Sequence, residues 1–297
     1  MGLVLTTINM KGGVGKTTLT INLAACLARD YKKRVLVLDL DSQISATLSV
    51  IPPHEFARLR KARRTLSYLI DKVIRPYISR KFSTEDMILE SVCGITGLDL
   101  LPGDIELYDE YTVAETLAKQ AEKDGKKFSD IWFHFEKILI QSIIESVQER
   151  YDFILLDCAP GYNLLTRSGI VSSHFYLLPA RPEPLSLVGI QLLERRIKKL
   201  KEQFTPPLNL NLLGIVFILS GGLFSGRYYG QVIQRIEQDF SSDKVFKNRI
   251  PLDVNVAKAV DTFTPAVVAM PNTAGSKAFN RLTQEFLDKI ADYSNSV

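Results

Sequence analysis

An apolar run, Leu3-Val4-Leu5-Thr6-Thr7-Ile8-Asn9, is followed within two residues by Lys11-Gly12-Gly13-Val14-Gly15-Lys16-Thr17-Thr18. No other feature restricts the chain so strongly. The run is rich in β-branched residues and reads as a buried strand. From Thr17 to Arg29 helix formers carry apolar residues at Leu19, Leu23, Cys26 and Leu27, a helical spacing. Glycines at 12, 13 and 15 let the intervening backbone turn tightly and bring several N–H groups toward one point. The helix that begins near Gly15 adds its N-terminal partial positive charge. Lys16 then offers a point charge to β- and γ-phosphates, and the Thr17 hydroxyl is placed to ligate Mg²⁺, with Val14 and Thr18 completing the cradle. An ordinary glycine-rich capping turn accounts for the glycines but not for Gly-Lys-Thr-Thr directly after a buried strand. The segment therefore points to a P-loop with ATP and Mg²⁺ as cofactors.

The pattern continues. Arg34-Val35-Leu36-Val37-Leu38-Asp39 is a short continuous apolar run, as in a parallel strand covered on both faces. Strand, helix and strand within about 40 residues describe a right-handed βαβ unit. A helical stretch from about Phe133 to Arg150 leads into Phe153-Ile154-Leu155-Leu156-Asp157, a second apolar run closed by a carboxylate. Strand-like His174–Leu178, helix-like Leu187–Gln203, strand-like Leu210–Leu219 and helix-like Gly230–Phe240 follow. Val267–Ala269 reads as a last short strand and Lys277–Tyr293 as a closing helix. This alternation predicts an α/β fold: a doubly wound, mostly parallel sheet with helices on both faces, of the P-loop NTPase type. Residues 1–297 read as one domain, with two helical insertions at about 52–90 and 104–132.

Bulk properties exclude other classes. Three cysteines, Cys26, Cys93 and Cys158, show no CxxC spacing, which argues against a disulfide framework or a structural zinc site and for a reducing cytosol. His54, His134 and His174 are far apart in sequence. No apolar run reaches the roughly 18–20 residues of a membrane span, and the opening residues carry no basic leader. A net charge of +4 is compatible with nucleic acid without being diagnostic of it.

Two further details of the loop carry a family resemblance. Met10 stands six positions before Lys16, where the ordinary P-loop has glycine, and an additional lysine, Lys11, opens the loop. The form xKGGxGK[ST] resembles the deviant Walker A motif of the ParA/MinD family of ATPases, closest to its ParA/Soj-type partition members. Asp39-Leu40-Asp41-Ser42-Gln43 resembles the family's switch I segment, with Ser42 in place of proline. Phe153–Asp157 with Cys158-Ala159-Pro160-Gly161 is similar to its Walker B strand and switch II. Pro179–Ser186, Ile250-Pro251-Leu252-Asp253 and Leu100–Leu107 are similar to other family segments, while the two insertions match poorly.

The resemblance implies roles residue by residue. Lys11 corresponds to a lysine that crosses a dimer interface to the partner's phosphates, so an ATP-sandwich homodimer is expected. Lys11, Lys16 and Asp41 would be catalytic, with Asp41 orienting the attacking water. Thr17, Asp39 and Asp157 would surround Mg²⁺, and Pro251 and Asp253, with Ser220-Gly221-Gly222, would lie near the adenine. Partition members bind DNA nonspecifically as ATP dimers, and a ParB-like or cargo adaptor protein stimulates hydrolysis and release. The DNA-binding candidates are Arg195, Arg196, Lys198, Lys199 and Arg227, with Lys201, Lys247 and Arg249 nearby; clustered cations suffice for backbone phosphates. A cytoplasmic, nucleoid-associated protein is expected.

A second basic segment is not explained by the resemblance. Between Arg58 and Lys81, nine Lys/Arg stand against one acid, Asp71, a net of +8 in 24 residues. It could extend a DNA surface or meet an acidic partner. Two alternative functions are a MinD-like membrane-cycling positioning ATPase and a metabolic P-loop enzyme. Against the first, Phe279, Leu282, Phe286, Leu287 and Ile290 read as the stripe of a core helix, and Glu285, Asp288 and Asp292 dilute its positive charge. Against the second, no cysteine pair is placed for a bridging iron–sulfur cluster.

Overall fold

The structure, a computed structural model, describes residues 2–75, 82–204, 207–218 and 226–295. In chain order its elements are β1 (Leu3–Thr7), α1 (Lys16–Tyr31), β2 (Val35–Leu40), α2 (Ser45–Leu48), α3 (Pro53–Lys61), α4 (Leu66–Ile74) and β3 (Leu98–Leu101). There follow α5 (Glu110–Asp124), α6 (Phe128–Glu145), β4 (Phe153–Cys158), α7 (Leu164–Val171), β5 (Phe175–Ala180), α8 (Pro184–Glu202) and β6 (Asn211–Phe217). The chain closes with α9 (Gly226–Phe240), α10 (Val254–Lys258), α11 (Ala266–Ala269) and α12 (Ala274–Asn295).

The six strands form one parallel sheet in the order β3-β2-β4-β1-β5-β6. Every residue of β2, β4 and β5 is buried, so the runs read as continuous apolar sequence because both faces are covered. Side chains still alternate. Leu5, Val37 and Leu155 face a core closed by α1, α11 and α12, whereas Val4, Leu36 and Ile154 face α4, α5, α6 and α7. Tyr176, Leu178, Ile215 and Phe217 extend that second face beneath α8 and α9. β1 lies centrally, between β4 and β5, and its C-terminal end opens directly into the glycine loop.

Three elements differ from the sequence reading. Val267–Ala269, read as a strand, lies in the short helix α11. Its first-turn amides at Val268 and Ala269 donate to the Pro265 carbonyl, and the Val267 amide donates to Asn22 Oδ1 in place of a strand partner. Three β-branched or small residues are too few to set a period, and Pro265 at the N-cap favours the turn. The strand β3 was not read at all. Its Asp99 interrupts the apolar run, yet it is buried because it accepts from the Tyr151 hydroxyl (2.8 Å) and the Ser91 amide (2.9 Å). The strand read as Leu210–Leu219 is shorter, ending at Phe217, and Leu219 lies outside the described residues. The two stretches read as helical insertions contain α3 and α4, and α5 with the start of α6.

The closing helix α12 is core, not surface. Phe279, Leu282 and Phe286 are buried, and the Phe286 ring meets Phe153 of β4 edge-on at 5.5 Å. Truncating Phe286→Ala removes that contact and leaves a cavity. The expected loss is about 3–5 kcal/mol of unfolding free energy, read from the urea midpoint.

Candidate nucleotide site

At the end of β1 the buried Asn9 aims the chain. Its Nδ2 donates to the Pro179 carbonyl on β5 (2.8 Å), and its Oδ1 accepts from the Lys11 amide (2.9 Å). The loop then passes through Gly13 (φ 69°) and Gly15 (φ 88°), left-handed backbone that glycine enters without steric cost. At Gly15 an added Cβ would lie 2.8 Å from Ile218 Cγ2, so the close approach of the loop after β6 also requires glycine. Gly15 is the N-cap of α1 and supplies no side-chain cap, which leaves the first amides of the helix to bind an anion.

Lys16 is 6% exposed, and among the described residues its Nζ donates only to the Lys11 carbonyl, at 3.2 Å. Burial pulls its ammonium below the ordinary lysine range, partly offset by the charges of Asp157 and Asp41. A buried ammonium has three protons to place, so this one retains capacity for a phosphate. Asp157, which closes β4, is fully buried. Its Oδ2 accepts from Thr17 Oγ1 (2.6 Å) and its Oδ1 from Thr20 Oγ1 (2.9 Å). Burial pushes its carboxyl up to about 6, against the pull of the two hydroxyls.

Asp39 closes β2 directly opposite Asp157 in the parallel register. Its Oδ2 accepts from both the amide and the hydroxyl of Thr47 (each 2.7 Å), and its Oδ1 accepts from the Asp41 amide (3.2 Å). Burial, reinforced by the charge of Asp157, raises it to about 7. With both oxygens engaged, Asp39 here orders the Asp41–Thr47 segment. The Gly103 amide completes the arrangement by donating to Thr47 Oγ1 (3.0 Å), and a Cβ at Gly103 would collide with the Asp39 carbonyl at 2.9 Å. Asp41 is buried on the same side, its Oδ1 accepting from the Gln43 amide (2.9 Å).

Lys11 behaves differently from Lys16. Its Nζ is at the exposed mouth of the site, 2.6 Å from Glu183 Oε2, with Arg181 3.9 Å from the other Glu183 oxygen. Pro251 follows Ile250, which bridges to Ile218, so the 251–253 loop starts beside the glycine loop. The Asp253 carboxylate, however, accepts from the Asn255 and Gly275 amides (both 2.9 Å), capping α10 and tying down the start of α12. On α8, Arg195, Arg196, Lys198 and Lys199 are exposed while Leu193, Ile197 and Leu200 face the core. The guanidinium of Arg196 lies 5.5 Å over the Tyr162 ring. Lys201 is spent on the Leu210 carbonyl (2.6 Å). The Arg227 side chain and Ser220-Gly221-Gly222 lie outside the described residues.

Comparison with known proteins agrees with this geometry. The AAA domain family matches residues 2–210. The chain belongs to that family, as a P-loop ATPase of the ParA/MinD type. The sporulation initiation inhibitor protein Soj of Bacillus subtilis is 27% identical over 287 residues, covering 96% of this chain and 98% of Soj. The chromosome partitioning protein ParA of Caulobacter vibrioides is 27% identical over 291 residues, covering 97% and 95%. Among solved structures, the Pyrococcus furiosus cell division ATPase MinD superposes with a TM-score of 0.66 at 24% identity, covering 98% of this chain and all of MinD, a likeness of fold.

Five residues of this ParA/MinD-type site escaped the sequence reading: Asn9, Thr20, Thr47, Gly103 and Glu183. Thr20 carried a local signal, one helical turn beyond Lys16, and Gly103 and Glu183 lay within segments similar to the family's but were given no role. The others meet the site across 50 or more residues or through a side-chain bond that no motif encodes.

The buried carboxyl of Asp157 sets a pH signature. Its folded pKa, about 6, exceeds the usual aspartate value, so its contribution to stability is complete below about pH 4 and is lost as pH rises through 6. Asp157→Asn carries no such loss. In nucleotide-free protein the variant is expected to gain on wild type by about 1.4 kcal/mol between pH 5 and pH 8, the part of the linkage that falls in that window at roughly 1.36 kcal/mol per pKa unit. Urea midpoints at the two pH values measure this.

Proposed function

We propose that the chain is an ATP-switched partition or positioning ATPase, in which ATP joins two subunits and hydrolysis parts them. The observation that carries this reading is the contrast between the two lysines of the loop. Lys16 is buried with capacity for a phosphate of its own subunit. Lys11, 50% exposed at the side chain, stands at the open mouth, and among the described residues its ammonium is held by a surface pair with Glu183. Such an exposed pair is worth roughly 0–1 kcal/mol, so it yields readily to the triphosphate of a facing subunit.

The residues present fit Mg²⁺-ATP. The loop amides and Lys16 would hold the phosphates, and Thr17 and Asp157 would hold the cation. That is a small protein contribution of the kind Mg²⁺ takes when phosphates and water complete its shell. When bound, Mg²⁺ neutralises charge on the β- and γ-phosphates of the ATP that supplies the phosphoryl group. The protein's part is positioning. Thr20 holds Asp157 in place, Asp39 and Thr47 hold the segment that bears Asp41, and Asp41 would orient water for attack. Pro251 and the 251–253 backbone would border the adenine.

The two relatives named for sporulation initiation and chromosome partitioning support a DNA-linked cycle. In this reading Arg195, Arg196, Lys198 and Lys199 on α8, with Arg227, bind backbone phosphates in the ATP state, on the nucleoid in the cytoplasm, until a ParB-like or cargo adaptor protein stimulates release. A membrane-cycling reading is less well supported, because the apolar stripe of α12 is spent on the core. A cluster-bearing metabolic enzyme is likewise disfavoured. Cys26 and Cys158 are buried, so neither stands at a surface where two subunits could share a cluster.

With Mg²⁺, ATP should double the mass measured by light scattering and shift a nonspecific duplex, and ADP should do neither. Lys11→Ala is expected to abolish the doubling while still binding nucleotide, whereas Lys16→Ala loses nucleotide binding itself. A Lys11→Ala protein that dimerises and turns over like wild type would falsify the assignment. Asp41→Ala should keep ATP binding and lose 10²-fold or more in turnover, the order typical of a lost water-orienting group. Its ATP dimer should therefore persist on a sizing column for hours.

A further inference from the structure

The excess positive charge between Arg58 and Lys81 is not accounted for by the nucleotide site; Arg80 and Lys81 lie outside the described residues, and the cations from Arg58 to Arg64 fall into two kinds. Arg60 donates from Nε to Asp104 Oδ1 (3.0 Å) and pairs with Glu106 (2.7 Å), while Arg64 donates to the Asp86 carbonyl (3.0 Å). Those two are structural ties. Lys61 and Arg63 are exposed and have no acceptor among the described residues, and Arg58, 78% exposed, meets only Glu55 at 3.6 Å.

Lys61 and Arg63 border a cavity of about 740 Å³ between α3, α4 and the start of α5. Its carboxylates are already engaged. Asp104 and Glu106 take Arg60, Asp71 takes Arg75 (3.5 Å), and Asp109 accepts from the Thr112 amide. Among the described residues, the charge of Lys61 and Arg63 is therefore unmatched, and that of Arg58 is met only by the exposed pair with Glu55.

Arg63 supplies a second, independent observation. It lies just past the end of α3 with φ 57°, left-handed backbone. The Arg63 amide donates to the Arg60 carbonyl (3.0 Å) and the Arg64 amide to the Leu59 carbonyl (2.9 Å), the crossed pair that closes a helix with a left-handed residue. Glycine is the relaxed choice there. An exposed arginine that tolerates backbone strain, while its side chain has no partner among the described residues, points to use of that side chain.

The patch is also wired to the nucleotide site. Asp39 holds Thr47, Thr47 accepts from the Gly103 amide, and the adjacent Asp104, 3% exposed, accepts from Arg60, Thr65 and Ser67. These bonds connect the segment after β2 to α3 through Arg60.

We infer that Arg58, Lys61 and Arg63 form a second phosphate-backbone surface for DNA, separate from α8 and coupled to the nucleotide through Asp39, Thr47 and Asp104. The inference rests on the ATP-switched DNA binding proposed above and adds a contact to it. Three clustered cations without an apolar anchor suit a polyanion read by charge alone.

The test is fluorescence anisotropy of a labelled 30-base-pair duplex with full-length protein in Mg²⁺-ATP and Mg²⁺-ADP across a KCl series. Melting temperature serves as the folding control. The triple variant Arg58→Glu, Lys61→Glu, Arg63→Glu should weaken ATP-state binding at least tenfold. It should also flatten the slope of log affinity against log salt by about 2–3, at roughly 0.9 per phosphate contact. The variant Arg63→Gly should move two readouts in opposite directions, raising the melting temperature while weakening DNA binding. Unchanged affinity and salt slope in the triple variant, or an Arg63→Gly protein that binds DNA as wild type does, overturns the inference. So does loss of poly-glutamate binding with DNA binding intact, which assigns the patch to an acidic protein segment. Failure of the parent reading shows separately, as wild-type protein whose DNA affinity is the same in ATP and ADP.

Discussion

A carboxylate without access to water organises this molecule. Asp157, near the end of the buried strand β4, has no exposed surface, and it is held by the hydroxyls of Thr17 and Thr20 one turn apart on α1. Burying a charged group is costly unless its oxygens are bonded, so these two bonds fix the rotation of α1 against the sheet. That rotation in turn places Lys16, on the first turn of the same helix, at the centre of the glycine loop. The helix, the loop and the strand ends are consequences of one constraint: a polar site assembled where the core would otherwise be apolar.

The second carboxylate, Asp39, extends the constraint sideways. It lies opposite Asp157 in the sheet; burial raises both carboxyls, and at Asp39 the charge of Asp157 adds to it. Its bonds go to Thr47 and the Asp41 amide, so a strand residue becomes the anchor of the segment that carries Asp41, α2 and α3. Through Gly103 and Asp104 the same anchor reaches the end of β3 and the basic residues beyond it.

Much of this was legible locally. The glycine loop and both strand-ending carboxylates are short motifs whose chemistry depends on residue type and immediate spacing, and the loop is contiguous with the strand and helix that position it. The doubly wound sheet was legible for a related reason: β2, β4 and β5 are covered on both faces, so their sequences are uninterrupted apolar runs. β3 was not, because Asp99 sits mid-strand and is satisfied only by Tyr151 from a distant turn and by the Ser91 amide. The Val267–Ala269 segment misled in the other direction, since Asn22 of α1 claims the amide that a strand would have paired.

The sequence by itself determined that the chain builds a phosphate cradle on a parallel sheet, because that cradle needs only glycines, a lysine and a threonine within eight residues. Tertiary structure alone decided how its charges are spent. Arg60 and Arg64 look equivalent to Lys61 and Arg63 in a basic run, yet the first two are bonded within the fold and the second two are not. Lys11 and Lys16 are five residues apart, yet one is exposed beside Glu183 and the other buried. The reason is physical: whether a cation is free depends on which carboxylates and carbonyls the fold brings within about 3 Å, and those come from parts of the chain that no local pattern connects.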